Sequence, residues 1–334
     1  MAAPGAQPTK IKPMSAVTHG HHGRPTRAGK LGDPVRSRPS DPAVHQLRAA
    51  LDNRLRALLG YDPGTRVGED PEELHQMRVA VRRMRAALKA ARPLLDRVWA
   101  DDLRAELGWL GRALGPVRDA DVLVERFRGR AKAFDDTSRK AVETLIEALV
   151  TDRESARAEM LAVLGSRRYT ALLRRLATAV SRPLPTPRGR RAAPSLVELV
   201  SAEYHRLSKA VRAAGEDPPD EVLHALRIRG KRLRYTGELV ATSGRKPERK
   251  PVRKLVESTV ALQDVLGEHQ DACVAQHRVM LLLDGLGDVV DVGVALVAGR
   301  LVEREETRRM AMRQSWSAAW QQVQHRAQSL QLIT

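Results

Sequence analysis

The chain has 334 residues, with 58 Lys and Arg against 40 Asp and Glu, a formal net charge of +18 and 42% hydrophobic residues. That supplies enough apolar material for a packed core, and the positive excess favours a polyanionic partner: nucleic acid, an anionic surface or inorganic polyphosphate. Aromatic residues make up only 3%, which argues against a platform for stacking single-stranded bases, and the single cysteine, Cys273, excludes an intrachain disulfide or a cysteine-rich zinc site.

Residues 1–40 contain six prolines and seven Lys or Arg against Asp33, which contributes +6 of the total charge. A disordered basic tail is expected here, with His19, His21 and His22 as part of it rather than as a metal site. No apolar stretch of a secretory signal is apparent, and no run of about 18 apolar residues occurs anywhere, so a cytoplasmic protein without membrane contact is expected.

From residue 41 the hydrophobic spacing is helical almost everywhere. It predicts helices over 41–59, 71–92, 97–114, 116–133, 136–165 and 167–180, with Gly115–Pro116 read as a helix stop followed by a start. A Pro- and Arg-rich linker follows at 182–194. Further helices are predicted over 195–214, 218–242, 250–266, 269–286 and 292–327. The expected fold is all-α: two helical bundles, 41–181 and 195–327, related by internal duplication and an approximate twofold.

The duplication is read from two segments. ELHQMRVAVRRMR, from residue 73, is matched by VLHALRIRGKRLR, from residue 222, with His75 and His224 separated by 149 residues. Farther on, Leu114-Gly115-x-x-Arg118-Asp119-Ala120 is matched by Leu266-Gly267-x-x-Gln270-Asp271-Ala272.

On a helix advancing about 100° per residue, His75, Arg78, Arg82, Arg85 and Lys89 share a sector of about 80°. Leu74, Met77, Val81, Met84 and Leu88 fall beside it. The basic stripe therefore borders a buried face instead of lying opposite it. It extends about 21 Å from residue 75 to residue 89, at about 1.5 Å per residue. His224, Arg227, Lys231 and Arg234 repeat the pattern, with Glu238 in the place of Lys89. Like charges at these spacings repel, and arginine presents a planar fork of donors suited to phosphate oxygens. Both features call for an extended anion. Asp119 and Asp271 are read as partners that orient the guanidinium groups, or equally as salt bridges at the core rim with no ligand role.

Taken in order and twice over, the His-x-x-Arg stripe and the Leu-Gly-x-x-x-Asp segment resemble the CHAD family, the conserved histidine α-helical domain. The resemblance spans about 41–327. It implies two four-helix bundles with pseudo-twofold symmetry and a basic surface, built from both halves, that binds inorganic polyphosphate; some relatives associate with polyphosphate granules. Matched residue by residue, the polyphosphate-binding set is His75, Arg78, Arg82, Arg83, Arg85, His224, Arg227, Lys231, Arg232 and Arg234, to which the stripe itself adds Lys89. Two departures, Arg118 to Gln270 and Asp121 to Cys273, weaken a symmetric role for those positions.

No P-loop, HExxH, GxSxG or GxGxxG after a strand is present. No catalytic residue, metal or cofactor is expected, and Cys273 reads as a buried thiol. Two rival readings remain: a basic helical protein that binds nucleic acid, weakly and nonspecifically, and an enzyme acting on polyphosphate.

Overall fold

The computed structural model describes residues 31–38, 41–190, 197–243, 246–287 and 290–330. In chain order the helices are α1 (Ala43–Val67), α2 (Pro71–Ala90), α3 (Arg97–Ala131), α4 (Asp136–Gly165), α5 (Arg167–Ser181), α6 (Pro187–Arg190), α7 (Val197–Ala214), α8 (Asp220–Ser243), α9 (Lys246–Gly285) and α10 (Val292–Gln328), with a 3₁₀ turn at Arg92–Leu94. Among the described residues there is no strand, only an isolated bridge between Leu95 and Pro185.

Side-chain caps set most helix starts by satisfying backbone donors that the first turn leaves free. Asp70 accepts from Glu72 N at 2.8 Å, with Pro71 where no donor is needed. Asp96, Asp135, Ser166 and Asp291 cap α3, α4, α5 and α10 in the same manner. Gly68 ends α1 at φ 78°, in the left-handed region that favours glycine.

Three expectations are corrected. First, α3 runs through Gly115–Pro116 without a break, and α9 likewise runs through Gly267. Pro116 removes one backbone donor. However, Val117, Ala120, Leu123, Val124 and Phe127 continue the buried face beyond it, and tertiary packing overrides the local signal. Second, α1 extends to Val67, past Pro63. Third, the expected tail and linker are partly built into the fold. Val35 N donates to Asp52 Oδ2 at 2.8 Å, and Leu31 and Val35 sit on the first core. In the linker, Thr186 N donates to Leu94 O at 3.0 Å. Residues 1–30, 39–40 and 191–196 lie outside the described residues.

Helix packing follows the same order in both halves: α1 on α2, α2 on α3 and α3 on α4, then α7 on α8, α8 on α9 and α9 on α10. One core joins α1, α2, α5 and the first part of α3, with Leu58, Met77, Met84, Leu107 and Leu110 fully buried. A second joins α7, α8, the first part of α9 and the end of α10, around Tyr204, Leu207, Leu255 and Trp320. A third is shared by the two halves: Phe127 of α3 and Leu145 of α4 meet Val279 of α9 and Leu301 of α10. The halves are thus locked together at their far ends. Truncating a fully buried leucine such as Leu107 to alanine costs about 2–5 kcal/mol.

Candidate polyanion-binding site

α2 packs on α8, which brings the two motif helices together. The apolar face of α2 (Leu74, Met77, Val81, Met84, Leu88) is buried in the first core, so its basic stripe emerges along the core margin.

Arg78 reaches across to α3. Its Nη1 donates to Leu114 O at 3.0 Å and to Gly115 O, and its Nη2 donates to Asp119 Oδ1 at 3.2 Å. A Cβ on Gly115 would stand 3.4 Å from Arg78 Nη1, and one on Gly108 would stand 3.4 Å from Arg85 Nη2. The glycines leave room for guanidinium groups to lie on the α3 surface. In the second half, Arg227 lies over Gly267, 3.7 Å from Asp271. Gln270 Oε1 accepts from His224 Nδ1 at 2.6 Å and orients the ring.

Lys231 of α8 sits where the stripes converge. Burial, then Arg227 and Arg82, push its ammonium down to about 8, with Arg78 adding to the effect and Asp271 opposing it. Arg82 Nε is buried without a hydrogen-bond partner. His75 is held below its ordinary pKa, first by burial, against the pull of Glu72, and further by Arg118, Arg82 and Arg78. Burial and the neighbouring guanidinium groups thus favour its neutral form.

The α2 stripe also meets cations on α3. Burial, then Arg104 and Arg112, lower the Arg85 pKa. Burial, then Arg232 and Arg104, lower that of Lys89. Arg104 pairs with Asp101 at 2.6 Å, a carboxylate it shares with Arg92, but Arg82, Arg85, Lys89, Arg112, Arg118 and Lys231 form no ion pair with any of the described residues.

The other wall differs. Residues 152 positions after Arg112 and Arg118 are Asp264 and Gln270 on α9. Arg227 is paired with Asp271, Arg234 pairs with Glu238 at 2.9 Å, and Asp264 also acts on Arg234. On α8, Arg227 and Arg234 thus have local carboxylate partners, whereas the stripe positions Arg82, Arg85 and Lys89 on α2 have none among the described residues.

A family model described as "CHAD domain" matches residues 49–280. The chain belongs to the CHAD family. This CHAD chain is 30% identical over 254 residues to an uncharacterized protein of Mycobacterium tuberculosis, covering 72% of the chain and 45% of that protein. It thus spans less than half the length of that relative. Among solved structures it resembles the CHAD domain of the plant Ricinus communis, with a TM-score of 0.67, 24% identity and coverage of 90% and 96% of the two chains. It also resembles PptA from Streptomyces chartreusis, with a TM-score of 0.67, 22% identity and coverage of 84% and 100%. Both likenesses concern the fold.

Two residues of the matched motif leave the stripe of this CHAD chain. Arg83 projects about 120° from the middle of the stripe. Its Nε stands 3.1 Å from Glu238 Oε2, beside Arg54, at a separate cavity of about 310 Å³ between α1, α2 and α8. Arg232, at the corresponding turn of α8, meets Lys89 instead of a carboxylate. Arg112 and Arg118 are the residues that sequence reasoning missed. On a continuous α3 helix, Gly108, Gly111 and Gly115 share a sector of about 60°, and the two arginines flank it. Reading a break at Gly115 concealed that pattern.

Proposed function

We propose that this protein binds inorganic polyphosphate on the wall formed by α2 and α3, with Lys231 closing it from α8. Arg82, Arg85, Lys89, Arg112, Arg118 and Lys231 are the main charge partners. Arg78 is the clamp that holds the wall together, and His75 and His224 lie at one end. The reading rests above all on one observation: these six cations cluster without a carboxylate partner among the described residues. Such an arrangement is costly unless an anion completes it. Membership in the CHAD family supports the choice of polyphosphate. A linear chain of phosphates also suits a basic row about 21 Å long better than one small phosphate does. Arg83 is left out of the set because it points away from the stripe onto Glu238, a carboxylate it shares with Arg234.

The role proposed is binding without turnover, in association with polyphosphate granules. No helix of the described residues is long and apolar enough to cross a membrane. Direct competition between long-chain polyphosphate and duplex DNA for the purified protein tests the assignment. Polyphosphate should displace DNA at a concentration, counted in phosphates, at least about tenfold below that at which DNA displaces polyphosphate. Equal competition would favour a general nucleic-acid-binding role. Release of orthophosphate on incubation with magnesium would overturn the non-catalytic reading.

A further inference from the structure

One turn before His224, three potential metal ligands converge at the start of α8. His269 and Cys273 lie one turn apart on the same face of α9, and Asp220 opens α8 opposite them. One donor atom from each lies within 4.8 Å of the others. His269 Nε2 stands 3.2 Å from Asp220 Oδ1, and Cys273 Sγ stands 3.7 Å from Asp220 Oδ2. The two contacts fall on different oxygens of the carboxylate, and Cys273 Sγ lies 4.0 Å from His269 Nδ1, so a bound zinc-class ion would draw these donors together onto its shell of about 2.0–2.3 Å bonds. The imidazole is 1% exposed, and its Nε2 points into the cluster without an aligned hydrogen bond. Its charge partner there is the Asp220 carboxylate, at ion-pair distance but off the hydrogen-bond axis.

From these residues we infer a site for a divalent transition metal of the zinc class, held by Asp220, His269 and Cys273, with a fourth position open to solvent. The inference goes beyond polyphosphate binding and does not depend on it. Binding exchanges the thiol proton for the metal: Cys–SH and the dication give the metal thiolate and a released proton.

Arg309 and Arg313 hold Asp220 at 2.5 and 2.6 Å, one on each oxygen. A carboxylate offers about four lone-pair sites, so each oxygen keeps one for a metal. The two guanidinium groups then act as the supports that fix the ligand. Glu306 and Asp217, paired with the same arginines, leave the cluster with three carboxylates against two guanidinium groups. A dication bound with a thiolate brings it to neutrality.

Cobalt(II) titration of the full chain, free of polyphosphate, tests the inference. One equivalent should produce a thiolate-to-cobalt charge-transfer band that zinc abolishes by displacement. Because Cys273 is the single cysteine, thiol-reagent kinetics report on this site alone, and stoichiometric zinc should slow the reaction at least about tenfold. Cys273→Ser should lose the band while keeping the helical circular dichroism, and Asp220→Asn should weaken cobalt binding by about tenfold or more. A cobalt spectrum without the thiolate band, together with thiol reactivity unchanged by zinc, would overturn the site. It would leave a plain ion-pair cluster, with any bound metal assigned elsewhere, for instance to His19, His21 and His22.

Discussion

Lys231 on α8 lies within the field of Arg82 on α2, and neither forms an ion pair with a carboxylate of the described residues. Two cations brought together by the packing of two helices raise the energy of the empty protein, and an anion between them recovers it. Charge reversal at either residue should therefore weaken polyphosphate binding by at least about tenfold, the order expected for one lost charge-assisted contact. The double variant Arg82→Glu with Lys231→Glu should bind weakest while remaining folded by circular dichroism. Undiminished affinity in that variant would place the site elsewhere.

The depressed pKa of Lys231 gives the binding a pH dependence. Its ammonium is half neutralised near pH 8 in the free protein, and a bound polyanion favours the charged form. Affinity should fall as pH rises above about 8, approaching tenfold per pH unit if the complex keeps the proton. Lys231→Arg should flatten the profile, because a guanidinium stays charged. An unchanged slope in that variant would remove Lys231 from the contact.

The same shift has the opposite consequence for stability. Between about pH 8 and pH 10.4 the unfolded lysine still binds its proton while the folded one has lost it. Stability contributed by this residue should rise with pH across that window and be absent below it. Lys231→Met, which keeps most of the buried stem, should raise the midpoint of thermal unfolding at pH 7. Polyphosphate should raise the midpoint of the wild type much more than that of the variant. A lower midpoint in the methionine variant would mean that Lys231 stabilises the empty fold.

The charge difference between the two walls is testable from both sides. Arg112→Glu on α3 should weaken binding about as much as Arg82→Glu does, although no sequence motif marks it. Asp264→Asn, at the corresponding position of α9, should strengthen binding by a few fold, on the order of 1 kcal/mol or less for an exposed charge. Equal and opposite behaviour, with Arg112 silent, would mean that the polyanion follows α8 and α9.

Glu305 tests how the halves are joined. It is fully buried on α10, accepts from Arg126 Nη2, and stands 3.2 Å from Arg130 Nε, both on α3. Glu305→Ala leaves Arg130 without its carboxylate and Arg126 with only Glu268, at 3.5 Å, and should cost measurable stability, below the roughly 3–5 kcal/mol of a fully uncompensated buried charge. Chemical denaturation measures that loss, and a cost near zero would show that this ion pair is not needed for the halves to hold.

Much of this was legible in the sequence. The stripe of His75, Arg78, Arg82, Arg85 and Lys89 follows from helical spacing alone, and its position beside Met77, Val81 and Met84 placed it at a core margin. Pairing of the stripe with Asp119 and Asp271 was one of two readings the sequence left open, and the structure shows Arg78 and Arg227 beside them. What stayed hidden depended on tertiary packing. Gly115–Pro116 carries a strong local stop signal, yet the apolar face beyond it is claimed by the third core, so α3 runs on and sets Arg112 and Arg118 beside the stripe. The diversion of Arg83 to Glu238 depends on how α2 meets α8, which no property of either helix alone specifies. The imbalance between the walls lay in the residues at 112, 118, 264 and 270, but it acquires meaning only once α3 and α9 are seen as continuous helices.

The most direct test of the central claim is a titration of long-chain polyphosphate into the wild-type protein at several salt concentrations. Six unpaired cations, each contributing on the order of 0.7 to the slope of log affinity against log salt, give an expected slope near −4. Removing Arg82 and Lys231 together should reduce the magnitude of that slope by about a third. Tight binding that is insensitive to salt, or an unaltered slope in the double variant, would contradict the account.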